Sequence, residues 1–345
     1  MERPWKALFA VLLLALVSRA DAQIGQSEVL LGTGLASRLR WVKFEVVGGR
    51  IVASSVHVGT NVNSTATSSD GGRRERLSID LTNAAPNVRY ELVDKAHEIT
   101  LEVTDGEQIL IRHVRKEDRG TRSVEYSQAP RQALTLTIEQ PDGKRVVSGP
   151  TLWHLLLAEP DVTKQLLTPT LEMLKPGWKL ATVADAIEES LCQNARLRRT
   201  LDRDRWIAWV TDLSSIHYAD RQDAERQLLE AGREVLPFLR SFERTTLDAE
   251  QWRRVRNVIA ALDSEQSDSV EQIVTLLAGD PRAWISMLGR DEESKRRLAV
   301  EQLKSITGGP IDFEPTATAE IRQGQLERLR ERFAPPAVKS ESESE

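Results

Sequence analysis

The chain is 345 residues long, with 47 lysines and arginines, 52 aspartates and glutamates, five histidines and a single cysteine. A net charge of −5 supplies no basic face for nucleic-acid phosphates, and one thiol, Cys192, rules out an internal disulfide. The length is enough for two domains.

At the start of the chain, Arg3 and Lys6 precede an unbroken apolar run from Ala7 to Val17, and Ala20-Asp21-Ala22 puts small residues before Gln23. This is the layout of a secretory signal peptide, residues 1–22, cleaved near Gln23. The apolar run would span about 16 Å as a helix, roughly half the hydrocarbon core, which is short for an anchor. No later segment reaches the roughly 18 apolar residues that a spanning helix needs. A lipoprotein would carry a cysteine at the cleavage point, and none is there. Removing the segment leaves a net charge of about −6. The expectation is an exported, periplasmic or extracellular protein with no stable membrane insertion after cleavage.

Residues 23–149 read as an antiparallel β domain. Ile99, Leu101 and Val103 alternate with Thr100, Glu102 and Thr104, and Leu134, Leu136 and Ile138 alternate with Thr135, Thr137 and Glu139. Such a period of two marks half-buried strands with one wet face. Gly48-Gly49, Asp105-Gly106 and Asp142-Gly143 each join two apolar-rich runs with residues that reach positive φ, the chemistry of hairpin turns. The pattern predicts roughly eight or nine strands, at 38–47, 50–58, 75–81, 88–93, 98–104, 108–114, 132–139 and 144–147. That number favours a β-sandwich or a curled sheet, because a flat sheet would leave long edges open. Residues 61–74, rich in Ser, Thr, Asn and Gly, predict a mobile loop, and Asn63-Ser64-Thr65 within it matches a glycosylation acceptor.

From Thr151 the period becomes helical. Residues 150–200 read as a helical connector or cap, with Trp153, Leu156 and Leu157 in a short helix that Glu159-Pro160 interrupts. A helix over 161–174 breaks at Pro176-Gly177, and Thr182 with Asp185 looks like a capping pair for the next one, which carries Cys192 as a small buried apolar residue. Asp248 with Gln251 repeats the capping device, and Asp280-Pro281 supplies an N-cap and a first-turn proline. The arginines of 196–205 and 253–256 read as solvated helix faces. A last helix over 318–333 precedes a Ser-Glu tail, 334–345, too charged to pack and expected to be disordered.

Within 201–333, the run from Tyr218 to Leu239, YADRQDAERQLLEAGREVLPFL, carries an aromatic at the helix start, Ala224 mid-helix, Leu228 and Leu229, Gly232 at a turn, and Pro237 in a second helix. It resembles a HEAT repeat. The run from Trp284 to Gly308 resembles a second copy through Leu288, Asp291, Arg297, Ala299 and Leu303, without a clear second helix before Gly308-Gly309-Pro310. The resemblance implies a HEAT-like α-solenoid segment used for protein contact, with no catalytic residues to carry over.

Catalytic motifs are scarce. His97-Glu98 has no second histidine one helical turn on, so the helical zinc motif is absent, and no Gly-x-Ser-x-Gly elbow or dinucleotide fingerprint occurs. Gly32-Thr33-Gly34 is too short a glycine match. The best constellation is His57, His97 and His113 with Asp80 or Asp105 on one sheet face as a metal or acid–base site. Against it stands a reading as scattered surface histidines, which alternation favours. His154, between Trp153 and Leu155, reads as a core or boundary histidine. Trp206 and Trp209 lie three apart, and Trp153, Trp178, Trp252 and Trp284 each open a helical segment, which suits core anchors better than a binding stripe.

The sequence therefore predicts an α+β, multi-domain chain: an antiparallel β-sandwich or curled sheet, then a HEAT-like helical repeat domain. It assigns no catalytic, metal or cofactor-binding residue and no cofactor. The expected function is an exported, non-catalytic scaffold or interaction module for a protein partner in the cell envelope or outside the cell. The alternative is a cell-envelope carbohydrate-binding protein or hydrolase with its site on the β domain, although Tyr90 and Tyr126 are few aromatics for a sugar platform.

Overall fold

The computed structural model describes residues 34–56, 59–67, 72–83, 85–118, 120–197, 203–262 and 269–333. The signal-like segment, His57 and the Ser-Glu tail lie outside the described residues. The chain is α+β: antiparallel strands come first and helices follow.

The strands are β1 (Val42–Val47), β2 (Arg50–Ser55), β3 (Thr60–Thr67), β4 (Arg74–Leu81), β5 (Asn87–Val93), β6 (His97–Thr104), β7 (Gln108–Glu117), β8 (Gly120–Gln128), β9 (Leu134–Gln140) and β10 (Gly143–Gly149). Strands β3 to β10 form one eight-stranded antiparallel sheet in sequence order, and β1 pairs with β2 as a separate hairpin. Gly48 and Gly49, at φ 58° and 74°, close that hairpin between Val47 and Arg50. Asp105 and Gly106, at φ 50° and 68°, turn β6 into β7. Alternation buries Leu77, Tyr90, Leu101, Ile111, Tyr126 and Leu136 on one face, as the period of two requires.

Two strands depart from the sequence expectation. The loop expected at 61–74 contains β3, an edge strand paired in full register with β4. Its inward positions are Val62, Ser64 and Ala66, too small and polar to write an apolar period, yet Val62 and Ala66 pack against the core. Strand β8 lies outside the expected strands, because its inward row of Val124 and Tyr126 ends in a polar residue, Gln128. Conversely, the strand expected from residue 38 begins only at Val42, after a 3-10 helix, Leu35–Trp41, whose Leu35, Ala36 and Leu39 are buried.

The helices are α1 (Leu152–Ala158), α2 (residues 160–174), α3 (Leu180–Leu197), α4 (Arg203–Asp212), α5 (Tyr218–Ala231), α6 (Leu236–Leu239), α7 (Ala249–Leu262), α8 (Val270–Ala278), α9 (Pro281–Leu288), α10 (Glu293–Thr307) and α11 (Ala319–Arg332). Helix α2 contains one π-helical turn, Thr163–Leu167. Asp248 and Gln251 exchange the two hydrogen bonds of a capping box, and Asp280 accepts from the Arg282 backbone N–H. Thr182 does not cap α3, which starts at Leu180 after Lys179 takes φ 50°; Asp185 instead pairs with Lys164 of α2 at 2.6 Å. The 284–308 run, expected without a clear second helix, folds as α9 followed by the long α10, which Gly308 ends at φ 68°.

One apolar core runs from the inward sheet face through α1, α2 and α3 into α8, α9, α10 and α11. Helices α4 to α7 enclose a second, smaller core of Trp206, Val210, Leu213, Leu228, Leu239 and Val255. Arg254 is buried inside this unit and bridges Glu225 on α5 and Glu250 on its own helix.

A side-chain hydrogen bond and a close backbone approach join the two cores. The Arg203 guanidinium donates to the Thr307 carbonyl at 2.8 Å, and Gly279 lies so close to residue 234 that a Cβ would sit 1.9 Å from the Glu234 carbonyl oxygen. Gly279 has an ordinary helical φ of −89°, so its need for glycine is steric. Gly279→Ala is expected to destabilise the protein by about 2 kcal/mol, because a backbone carbonyl cannot swing aside as a side chain would. Urea denaturation checks this, and an unchanged midpoint would refute the steric reading.

Candidate functional site

The sheet brings two of the expected histidines together. His97 opens β6 and His113 sits on β7 diagonally across the ladder, where Ile99 faces His113. Both point inward, and His97 Nδ1 lies 3.0 Å from His113 Nε2. This corrects the reading as scattered surface histidines, since His113 is fully buried. Asp80 is not part of the pair: it alternates to the outer face and accepts from the Thr82 N–H. Asp105 stays in the β6–β7 turn, held by Asn87. Among the described residues, no group of three or more His, Cys, Asp or Glu could hold a metal ion.

The π-helical turn explains the burial of His113. His113 Nδ1 is 2.9 Å from the Leu166 carbonyl and 3.0 Å from Thr170 Oγ1. The Thr170 hydroxyl already donates to that carbonyl, so Nδ1 carries the proton and Nε2 accepts from His97. Burial pushes the His113 imidazole down to about 4, with the hydrogen bond to Leu166 opposing and neighbouring positive charge assisting. Burial also pushes His97 down, against the pull of Asp94. The pair is a latch between the sheet and α2, and burial disfavours the charged form of both rings.

His154 belongs to a second polar group that joins residues far apart in sequence. Its Nε2 donates to Asp280 Oδ2 at 3.1 Å, and its Nδ1 lies 2.8 Å from the Thr151 hydroxyl. Arg282 donates from Nε and Nη2 to the same carboxylate at 3.1 and 3.2 Å. Burial pushes the Asp280 carboxyl up, but His154 and Arg282 outweigh it and hold it well below the usual carboxylate range. Hydroxyl, imidazole and carboxylate stand in the order used for nucleophilic catalysis. Thr151, however, is buried and pressed against Gly49, where a Cβ would come within 2.4 Å of it. The nucleophile position is sealed, and the network serves as a joint between α1 and α9. No short motif could have signalled it, because the partners are separated by 126 positions.

The tryptophans divide. Trp153, Trp206 and Trp284 are core anchors, and Trp284 Nε1 donates to the Ala278 carbonyl. Trp41, Trp178, Trp209 and Trp252 are half-buried, with Arg205 over the Trp209 ring. Tyr90 and Tyr126 both face the core, so neither lies on the outer sheet face. Exposed apolar side chains instead stand on the turn between α4 and α5, where Ile216 is 88% exposed and Tyr218 is 61% exposed. Ser215 and Asp220 brace that turn, and Arg221 holds it by donating to the Ser215 and Ile216 carbonyls.

No protein-family model, curated protein or solved structure matches the chain. Its class is therefore carried by the fold alone: an α+β protein whose sheet and outer helices share one core.

His113 gives a testable acid response. The unfolded chain takes up a proton near 6.5, while the folded one refuses it until about 4. The neutral histidine thus contributes stability that is complete above about pH 6.5 and lost as pH falls toward 4. Unfolding free energy should drop by on the order of 2 kcal/mol between pH 7 and 4.5 from this group. In His113→Asn, less stable at pH 7, the slope over that window should flatten; an unaltered slope would assign the acid response elsewhere.

Proposed function

We propose that this chain is an exported, non-catalytic interaction module whose working surface is the helical unit of residues 203–262. The observation that carries the reading is the α4–α5 turn, where a large aliphatic and an aromatic side chain stand in solvent on a braced backbone. Solitary exposed apolar residues are common on any surface, but an isoleucine beside a tyrosine on a held turn has the composition of a binding hot spot. The unit's own small core supports it, since such a unit can present its outer face while the larger core stays intact. The sequence resemblance of residues 218–239 to a HEAT repeat favours the same use, because stacked helical pairs present protein-binding surfaces. Export rests on the charge and apolar pattern of residues 1–22.

The test compares wild type with the double variant Ile216→Asp, Tyr218→Ala as bait in the cell envelope of the native host after mild crosslinking. One stoichiometric protein partner should be captured by wild type. The variant should lose at least about tenfold of it, as removal of a hot spot of about 2 kcal/mol implies, with no change in thermal midpoint. Equal capture by both proteins would defeat the assignment of this surface.

A further inference from the structure

A cleft of about 250 Å3 opens where the last strand of the sheet meets the helices that close the core. Val147 on β10, Ala158 on α1, Ile285 on α9 and Phe333 after α11 give it apolar walls, and Arg282 and Arg330 enter from two helices. The cations are what make it unusual. Arg330 makes one ion pair among the described residues, with Glu159 at 3.6 Å, which is beyond hydrogen-bonding distance. Glu159 is already held by Arg145 at 2.7 Å.

The five donors of the Arg330 guanidinium thus have no acceptor among the described residues, although the side chain is only 29% exposed. Burial pushes this guanidinium below its usual range, with the opposing pull of Glu159 too weak to restore it. Arg282 uses Nε and Nη2 on Asp280, and its Nη1 has no acceptor among the described residues. Asp280 thus engages Arg282 and Glu159 engages Arg145, and Arg330 is the guanidinium of the cleft left without a hydrogen-bonded carboxylate among the described residues. Glu331 also borders the cleft but is exposed, where water screens it. An under-compensated cation in a half-enclosed apolar cleft is costly unless an anion joins it.

We propose that this cleft binds a small monocarboxylate with a short apolar body. Arg330 and Nη1 of Arg282 take the carboxylate, and Ala158, Ile285 and Phe333 cover the body. The one guanidinium without a hydrogen-bonded acceptor matches one carboxylate, and the apolar walls select a carbon chain over inorganic phosphate. The cleft has room for a short carbon chain, and hexanoate serves as the probe.

The experiment is calorimetric titration of the whole protein with hexanoate, its uncharged counterpart hexanamide, acetate and inorganic phosphate. Hexanoate should bind at least roughly tenfold more tightly than each of the other three, since the amide lacks the charge-assisted bonds and acetate and phosphate lack the body. Arg330→Gln should cost at least about tenfold in hexanoate affinity, and Arg330→Lys should restore part of it. Absence of hexanoate binding, equal binding of hexanamide, a preference for phosphate, or undiminished binding by Arg330→Gln would each overturn the proposal. Should Arg330→Gln fail to fold, the four-ligand comparison on wild type decides alone.

Discussion

A meander of eight strands produces an apolar face that none of its own hairpins can cover, and the rest of the structure follows from covering it. Strands β4 to β9 turn their buried rows to the same side, so that face has to be met by something outside the sheet. The β1–β2 hairpin, the 3-10 turn before it, and α1 and α2 do so. Burial of this kind has no direction of its own, so it does not fix where the cover sits. Direction comes from three inward polar residues. Gln128 accepts from the Ile51 N–H and the Tyr126 O–H and gives to the carbonyls of Ile51 and Glu107, which fastens β2. Glu75 accepts from the Leu35 backbone, the Tyr90 hydroxyl and Arg73, which fastens the 3-10 turn. His113 fastens α2. Each is satisfied by its cover element, so a shifted cover would strand a buried polar group at a cost of about 1–3 kcal/mol.

The same logic extends the core to the far helices. Asp280 is a buried charge that neither half of the chain could hold alone: α9 needs it as an N-cap, and α1 supplies the imidazole that makes its burial tolerable. Removing one partner of such a group leaves an uncompensated charge, whereas removing both costs far less. The pair therefore specifies how α9 meets the sheet more than it adds to stability. The cleft follows from it, since α1 and α9 form two of its walls and Arg282 is turned toward both Asp280 and the cleft.

Much of the architecture was legible in the sequence where physics writes itself locally. Alternation and positive-φ turn residues exposed the hairpins, and the Asp248–Gln251 and Asp280 caps marked helix starts, because each signal spans a few residues. Legibility failed where the inward row is polar or small, as at Ser64 and Ala66 in β3 and Gln128 in β8. It also failed where the partner is remote. Nothing near His113 announces Leu166, nothing near His154 announces Asp280, and no spacing rule tells that Arg330 would sit near a carboxylate already held by Arg145. The exposed turn at Ile216 and Tyr218 was hidden for a related reason: the sequence reads Tyr218 as an ordinary aromatic at a helix start, and exposure is settled only by how remote elements pack.

The five residues from Ala278 to Arg282 show how these constraints meet. The Ala278 carbonyl accepts from buried Trp284, Gly279 lets the Glu234 backbone of the smaller unit approach, and Asp280 binds His154. Pro281 begins α9, and Arg282 lies on the cleft. A displacement of this segment would disturb the small unit's seat, the core anchor and the cleft wall together, since consecutive residues cannot move independently. The seat of the smaller helical unit and the wall of the cleft are in this way the two sides of one short stretch of backbone, and the buried Asp280 carboxylate keeps that stretch in place.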